Sequence, residues 1–92
     1  MIKTFRHKGV QQFFAKGSKA GIVAAHASKL GRLLTALDAA TLPQQMNKPG
    51  WRLHSLEGQE AARWSVWVNG NWRLTFEFDD GDAILVDYED YH

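Results

Sequence analysis

The feature that most constrains this chain is a change of hydrophobic period halfway along it. In the first half Leu30, Leu33, Leu34 and Leu37 fall at i, i+3, i+4 and i+7, one apolar stripe of an α-helix. In the second half Trp72-Arg73-Leu74-Thr75-Phe76-Glu77-Phe78 alternates apolar and polar residues, the period of a strand with one buried face. A helical period followed by a strand period implies an α+β domain in which the helices cover one face of an antiparallel sheet.

The remaining elements fit around those two. Residues 1–6 alternate weakly and predict a short edge strand. Val10, Phe13 and Phe14 set a first helix over about 7–16, with Gly17 as its stop. The second helix is expected from about Ile22 to Ala39. Pro43 and Pro49 make 41–50 a connection with room for one helical turn. Trp51-Arg52-Leu53-His54 alternates again, and Glu57-Gly58 predicts a turn. Trp64-Ser65-Val66-Trp67-Val68 leads into Asn69-Gly70, a favoured hairpin pair. Asp79-Asp80-Gly81-Asp82 turns the chain into a last strand, Ala83-Ile84-Leu85-Val86-Asp87-Tyr88.

The 92 residues suit one domain spanning 1–92 and exclude a two-domain cofactor enzyme. With 45% hydrophobic residues and four Trp, the chain has material for a core. It has no Cys, which excludes disulfides, thiolate metal sites and a Cys nucleophile. No apolar run is long enough for a signal peptide or membrane span, so a cytoplasmic location without membrane contact is expected. No G-x-S-x-G motif accompanies the four Ser.

The net charge of +1 conceals a polarised chain. Residues 1–56 carry nine Lys or Arg and one acid, Asp38, whereas residues 57–92 carry two Arg and nine acids. Such a basic half suits a polyanion, although two solvated faces that neutralise each other on folding would give the same pattern.

Parity along the strands points to chemistry. Trp72, Leu74, Phe76 and Phe78 take the core face, so Arg73 projects from the other. Trp51 and Leu53 likewise turn inward, which puts Arg52 and His54 on the side of Arg73. Metal-free cleavage of RNA needs a base for the ribose 2′-hydroxyl, a cation for the phosphorane-like charge and an acid for the 5′-oxygen. His titrates near neutrality, and the Arg fork matches a phosphate. Asp87, Glu89, Asp90, Tyr91 and His92 add carboxylates, a phenol and a second imidazole at the tail. A charged tail is, on residue types alone, more often a solvated one. A metal site from His54, Asp90 and His92 matches no zinc spacing. His7 and His26 lie on predicted helices and receive no role. The Trp residues suit packing, with Trp67 out of step with Trp64 and expected to be exposed.

These residues also carry a resemblance. Ile2-Lys3-Thr4-Phe5, Leu37-Asp38-Ala39-Ala40-Thr41, Trp51-Arg52-Leu53-His54, Trp64-Ser65-Val66, Asn71-Trp72-Arg73-Leu74-Thr75-Phe76, Gly81-Asp82-Ala83 and the terminal Tyr88-Glu89-Asp90-Tyr91-His92 span nearly the whole chain. Together they resemble the HigB toxins of bacterial type II toxin–antitoxin systems, within the RelE superfamily of messenger-RNA interferases. The resemblance implies a RelE-like fold, two N-terminal helices on a mainly antiparallel, twisted sheet of four to five strands. It implies a ribosome-dependent endoribonuclease that cuts the message in the aminoacyl site and inhibits translation without a cofactor, leaving a 2′,3′-cyclic phosphate or its hydrolysed form and a 5′-hydroxyl.

Carried over by position, His54, Arg73, Asp90, Tyr91 and His92 match the family's functional residues. His54 and His92 would handle protons, Arg73 the phosphate, Asp90 the orientation of a His, and Tyr91 a nucleotide. Lys16, Lys19, Lys29, Arg32, Lys48 and Arg52 are the expected contacts to the small-subunit RNA of the ribosome and the message. The implied partner is a HigA-type helix-turn-helix antitoxin, through which alone the toxin meets operator DNA. Relatives often read H-P-L-K-G where this chain has His54-Ser55-Leu56-Glu57-Gly58, and Glu57 would repel the message backbone that a Lys there attracts. The competing expectation is a non-catalytic RelE-fold module that binds an antitoxin or ribosome. Direct binding to duplex DNA finds no recognition-helix motif.

Overall fold

In the computed structural model of the chain, which describes residues 1–56 and 62–91, two α-helices precede a four-stranded antiparallel sheet of order β1-β2-β3-β4. The helices are α1 (Lys8–Lys16) and α2 (Ala27–Ala39); the strands are β1 (His54–Ser55), β2 (Trp64–Asn69), β3 (Trp72–Asp79) and β4 (Asp82–Asp90). The expected α+β architecture is the one observed.

Helix α1 begins and ends where local chemistry dictates. The His7 ring accepts a hydrogen bond at Nδ1 from the Val10 N–H at 3.1 Å, satisfying one of the free first-turn donors. Gly17 closes the helix in the left-handed region at φ 74° and donates to the Phe13 carbonyl. Val10 is buried, but Phe14 is 38% exposed and only edges against Phe5, so the apolar stripe is narrower than its sequence suggests.

Helix α2 starts later than its periodicity predicts. A 3-10 turn at Ala24–His26 precedes it, because the Tyr88 hydroxyl accepts from the Val23 N–H and bonds the buried His26 ring at 2.6 Å. From there Leu30, Leu33, Leu34 and Leu37 are all buried and pack on Val66, Leu74, Phe76 and Val86 of the sheet. A second 3-10 turn at Pro43–Met46 supplies the helical turn expected in the connection.

Residues 1–6 run along the outer edge of β4. They form two isolated parallel bridges, Ile2 with Ala83 and Phe5 with Val86, rather than a continuous strand. The cause is a bulge in β4. Thr75 pairs with Asp87 and Glu77 with Ile84, so Leu85 and Val86 together face the single residue Phe76. Leu85 adopts φ 53°, a backbone that a branched residue rarely takes. Its N–H is bonded by the Thr4 hydroxyl at 2.8 Å and its carbonyl by Arg63 at 2.9 Å, which hold it there.

A second bulge at Val68 moves the β2–β3 hairpin by one residue. Asn69 pairs with Trp72, so the loop residues are Gly70 and Asn71 instead of the expected Asn69-Gly70, and Gly70 supplies the positive φ of 55°. The Asp80-Gly81 loop matches its prediction, with φ of 50° and 82° at the two central positions. The 51–54 alternation yields only the two residues of β1. Trp51 still accepts from the Trp67 N–H, but Arg52 at φ 52° breaks the extended run. The turn expected at Glu57-Gly58 lies outside the described residues.

Candidate functional site

The sheet face turned away from the helices carries the polar candidates in cross-strand rows. His54 pairs with Ser65 and Ser65 with Thr75; Trp67 pairs with Arg73 and Arg73 with Glu89. Paired residues share a face, so His54 and Arg73 stand on one side of the sheet, as strand parity implies. Between them lies a cleft of about 370 Å³ lined by Arg52, His54, Leu56, Ser65, Arg73 and Tyr91.

Neighbouring groups hold two of the lining residues, Arg73 by its side chain and Tyr91 by its backbone. The half-buried Arg73 points its guanidinium at the hairpin, where Nη1 donates to the carbonyls of Gly70 and Trp72, both at 3.1 Å. Among the described residues that leaves Nε and Nη2 as donors for a phosphate. His54 is exposed on β1, with its ring reachable by substrate. The Tyr91 N–H donates to the Asn71 carbonyl at 2.8 Å, which ties the tail to the β2–β3 loop and sets the phenol at the cleft rim, 37% exposed.

The tail residues divide. Asp90 pairs with Trp72, which places it on the helix side of the sheet, opposite to Arg73; it is not among the residues lining the cleft. The carboxylate on the face of Arg73 is Glu89, and it accepts from the Thr75 hydroxyl at 2.6 Å. The bulge at Leu85 causes this division, because it shifts the pairing of every residue after it by one. His92 lies outside the described residues, so the set His54–Arg73–Tyr91 is the part of the expected site that the structure brings together. No group of three His, Asp or Glu able to hold a metal occurs among the described residues.

Of the basic candidates, Arg52 lines the cleft, and Arg32 and Lys48 line a larger groove of about 720 Å³ along α2, with Trp51 as one wall. Lys29 sits between them, 5.4 Å from the Trp67 ring and 6.0 Å from the Trp51 ring. Lys16 ends α1 and Lys19 follows it in an exposed loop; neither reaches the cleft.

Residue-by-residue reading passed over two buried polar clusters. Arg63 is 1% exposed. Its Nη2 donates to Thr75 Oγ1 at 2.6 Å and to the Leu85 carbonyl, and its Nη1 pairs with Glu77 at 3.3 Å. The clue was parity: Arg63 shares its face with Ser65, opposite Thr75 and Glu77. The second cluster gathers His7, His26, Trp72 and Tyr88, with Trp72 stacked on Tyr88 at 4.5 Å. Burial pushes the Tyr88 hydroxyl above its ordinary value of 10.0; the Asp90 charge adds to the rise and the Val23 N–H opposes it. None of the described helices is long and apolar enough to cross a membrane.

Comparison with known proteins adds a lineage to this geometry. Residues 3–92 match the family model described as the RelE-like toxin of the type II toxin–antitoxin system HigB. The chain is 42% identical over 92 residues to Endoribonuclease HigB of Proteus vulgaris, covering all of both chains. It is 33% identical over 94 residues to Toxin HigB-1 of Vibrio cholerae, covering all of this chain and 98% of that one.

Proposed function

The chain belongs to the HigB-like toxins of type II toxin–antitoxin systems and is an endoribonuclease, and from that premise we propose that it cleaves messenger RNA in the aminoacyl site of the ribosome. The observation that carries the reading is the cleft in which His54, Arg73 and Tyr91 meet on the face free of helices. A metal-free route follows from their chemistry. One imidazole takes the proton of the ribose 2′-hydroxyl, and the freed oxygen attacks the adjacent phosphorus. Arg73 donates from Nε and Nη2 to the equatorial oxygens as charge builds there. The 5′-oxygen leaves as the second imidazole protonates it, giving a 2′,3′-cyclic phosphate and a 5′-hydroxyl. His54 and His92 are the two imidazoles, and Tyr91 at the rim packs against a nucleotide. Asp90, on the helix side at the strand end, acts through His92, which follows it by two residues.

The ribosome supplies what the cleft lacks, a message strand held open with its bases unstacked. The proposed setting is the cytoplasm. A HigA-type antitoxin neutralises the toxin, and operator DNA is reached only through it.

Primer extension on message from cells expressing the protein tests the reading. Cuts at ribosome-occupied codons are expected, and Arg73→Ala or His54→Ala should remove them while the circular dichroism spectrum stays that of the parent. Toxicity with intact message would instead favour a non-catalytic module that binds the ribosome.

A further inference from the structure

Beside the cleft, two tryptophans and three cations form a continuous ladder. Lys48 Nζ lies 5.4 Å from the Trp51 ring and Lys29 Nζ 6.0 Å from the same ring. Lys29 Nζ lies 5.4 Å from the Trp67 ring, and the Arg52 guanidinium 4.3 Å from it. The Trp67 ring is fixed by its Nε1, which donates to the Gly70 carbonyl at 2.9 Å, and the two tryptophan backbones are held together by the Trp67 N–H, which donates to the Trp51 carbonyl at 2.7 Å, and by the Trp51 N–H, which donates to the Lys48 carbonyl. Cations over such rings are held in place with their remaining donors outward.

The ladder joins two cavities. Arg52 at one end lines the cleft with His54 and Arg73; Lys48 and Trp51 at the other end line the groove along α2, whose floor is Gly31, Ala36 and Ala39. Among the described residues none of Lys29, Arg32, Lys48 and Arg52 has a carboxylate partner. Burial, and then the like charges of Arg32 and Arg52, lower the pKa of Lys29. Arg52 occupies a left-handed backbone at φ 52°, a strained placement of the kind that gathers at binding sites.

We propose that the Arg52–Trp67–Lys29–Trp51–Lys48 ladder holds the RNA strand that continues out of the cleft, with phosphates on the cations and one unstacked base in the α2 groove. The inference rests on the endoribonuclease reading and extends it from the scissile phosphate to its neighbours. A phosphodiester strand fits better than an acidic protein segment for two reasons. The ladder runs without a break into the cleft where RNA is cut, and its apolar bay with a cationic rim matches a base flanked by phosphates.

Fluorescence anisotropy with the full chain tests this. The probes are labelled 2′-O-methyl oligonucleotides of three and nine residues, which fill the cleft but lack the attacking hydroxyl. The nine-mer should bind about tenfold tighter than the three-mer at low salt, as expected for a few added phosphate contacts. Lys29→Met/Lys48→Met should erase that advantage and leave three-mer binding intact. Its salt slope for the nine-mer should fall by about 1.4, roughly 0.7 for each phosphate released. Lys29→Gln/Lys48→Gln, checked by thermal melting, guards against a folding effect of Met. Equal binding of the two lengths by the parent overturns the proposal. So does a length advantage that survives in the variants, or displacement of the nine-mer by a glutamate-rich peptide as readily as by unlabelled RNA. Failure of the endoribonuclease reading is read separately, as intact message in a translating extract containing the parent protein.

Discussion

Replacing Thr75 by Val isolates a single hydroxyl at the centre of the sheet. The residue is fully buried and the swap preserves its shape, so the change is confined to two hydrogen bonds. The hydroxyl accepts from Arg63 Nη2 and donates to Glu89 Oε2, both at 2.6 Å. Arg63 is 1% exposed and water cannot replace what it loses, so that bond counts at the charged-group value of about 1.5–3 kcal/mol. Glu89 is half-buried and partly rehydrates, adding about 0.5 kcal/mol at the low end of the range. The total, about 2–3.5 kcal/mol, should lower Tm by roughly 8–28 °C for a domain of this size. Arg63 keeps the Leu85 carbonyl and Glu77, which is why the loss stops there. Urea and thermal unfolding measure it. In an Arg63→Met background the same Thr75→Val change should cost at least about 1 kcal/mol less, since the cation it served is gone. A Thr75→Val cost below about 0.5 kcal/mol, or additivity of the two changes, would refute the account of a hydroxyl held between buried cation and carboxylate.

Other outcomes follow from packing and titration. Leu34→Ala, at a site 1% exposed, should cost about 2–5 kcal/mol in urea unfolding. Gly9→Ala and Gly31→Ala should move melting temperature in opposite directions. A Cβ on Gly9 would sit 2.3 Å from the Gly21 carbonyl oxygen, whereas one on Gly31 meets nothing nearer than 4.0 Å and gains helix propensity of up to about 1 kcal/mol. The raised pKa of Tyr88 means that the unfolded chain releases this proton before the folded protein does. Its contribution to stability is therefore whole below pH 10.0 and declines as pH rises past that value toward the folded pKa, and Tyr88→Phe should flatten this part of an alkaline denaturation curve. An extension beyond His92 should impair message cleavage more than one before Met1, because Tyr91 already lines the cleft.

What the sequence made legible was what repeats. The stripe Leu30, Leu33, Leu34, Leu37 names the buried side of α2, and alternation through Trp72–Phe78 puts Arg73 on the face of His54. Asp80-Gly81 names its own turn. The bulges at Val68 and Leu85 left no such mark, because an extra residue in a strand changes pairing without changing residue type. The facing of Asp90 and the exact hairpin loop were lost with them. Arg63 escaped notice because a buried guanidinium is identified by its partners, and Thr75, Glu77 and Leu85 meet it only across strands. The tryptophan–cation ladder is likewise a meeting of α2, the connection before β1 and β2, far apart in sequence.

The bulge at Leu85 makes the tail a matter of counting. From Asp87 to Tyr91, odd positions look toward the cleft side and even ones toward the helices only because one supernumerary residue precedes them. Straightening the strand with Leu85 kept and paired to Phe76 would leave the composition of the tail untouched and exchange its two sides, setting Tyr88 opposite Arg73 and Glu89 opposite Trp72, whereas deleting Leu85 would remove the bulge and leave the sides as they are. In this protein the sides of the tail are therefore set by whether the strand keeps two residues opposite Phe76, and any redesign has either to retain that bulge or to remove the extra residue together with it.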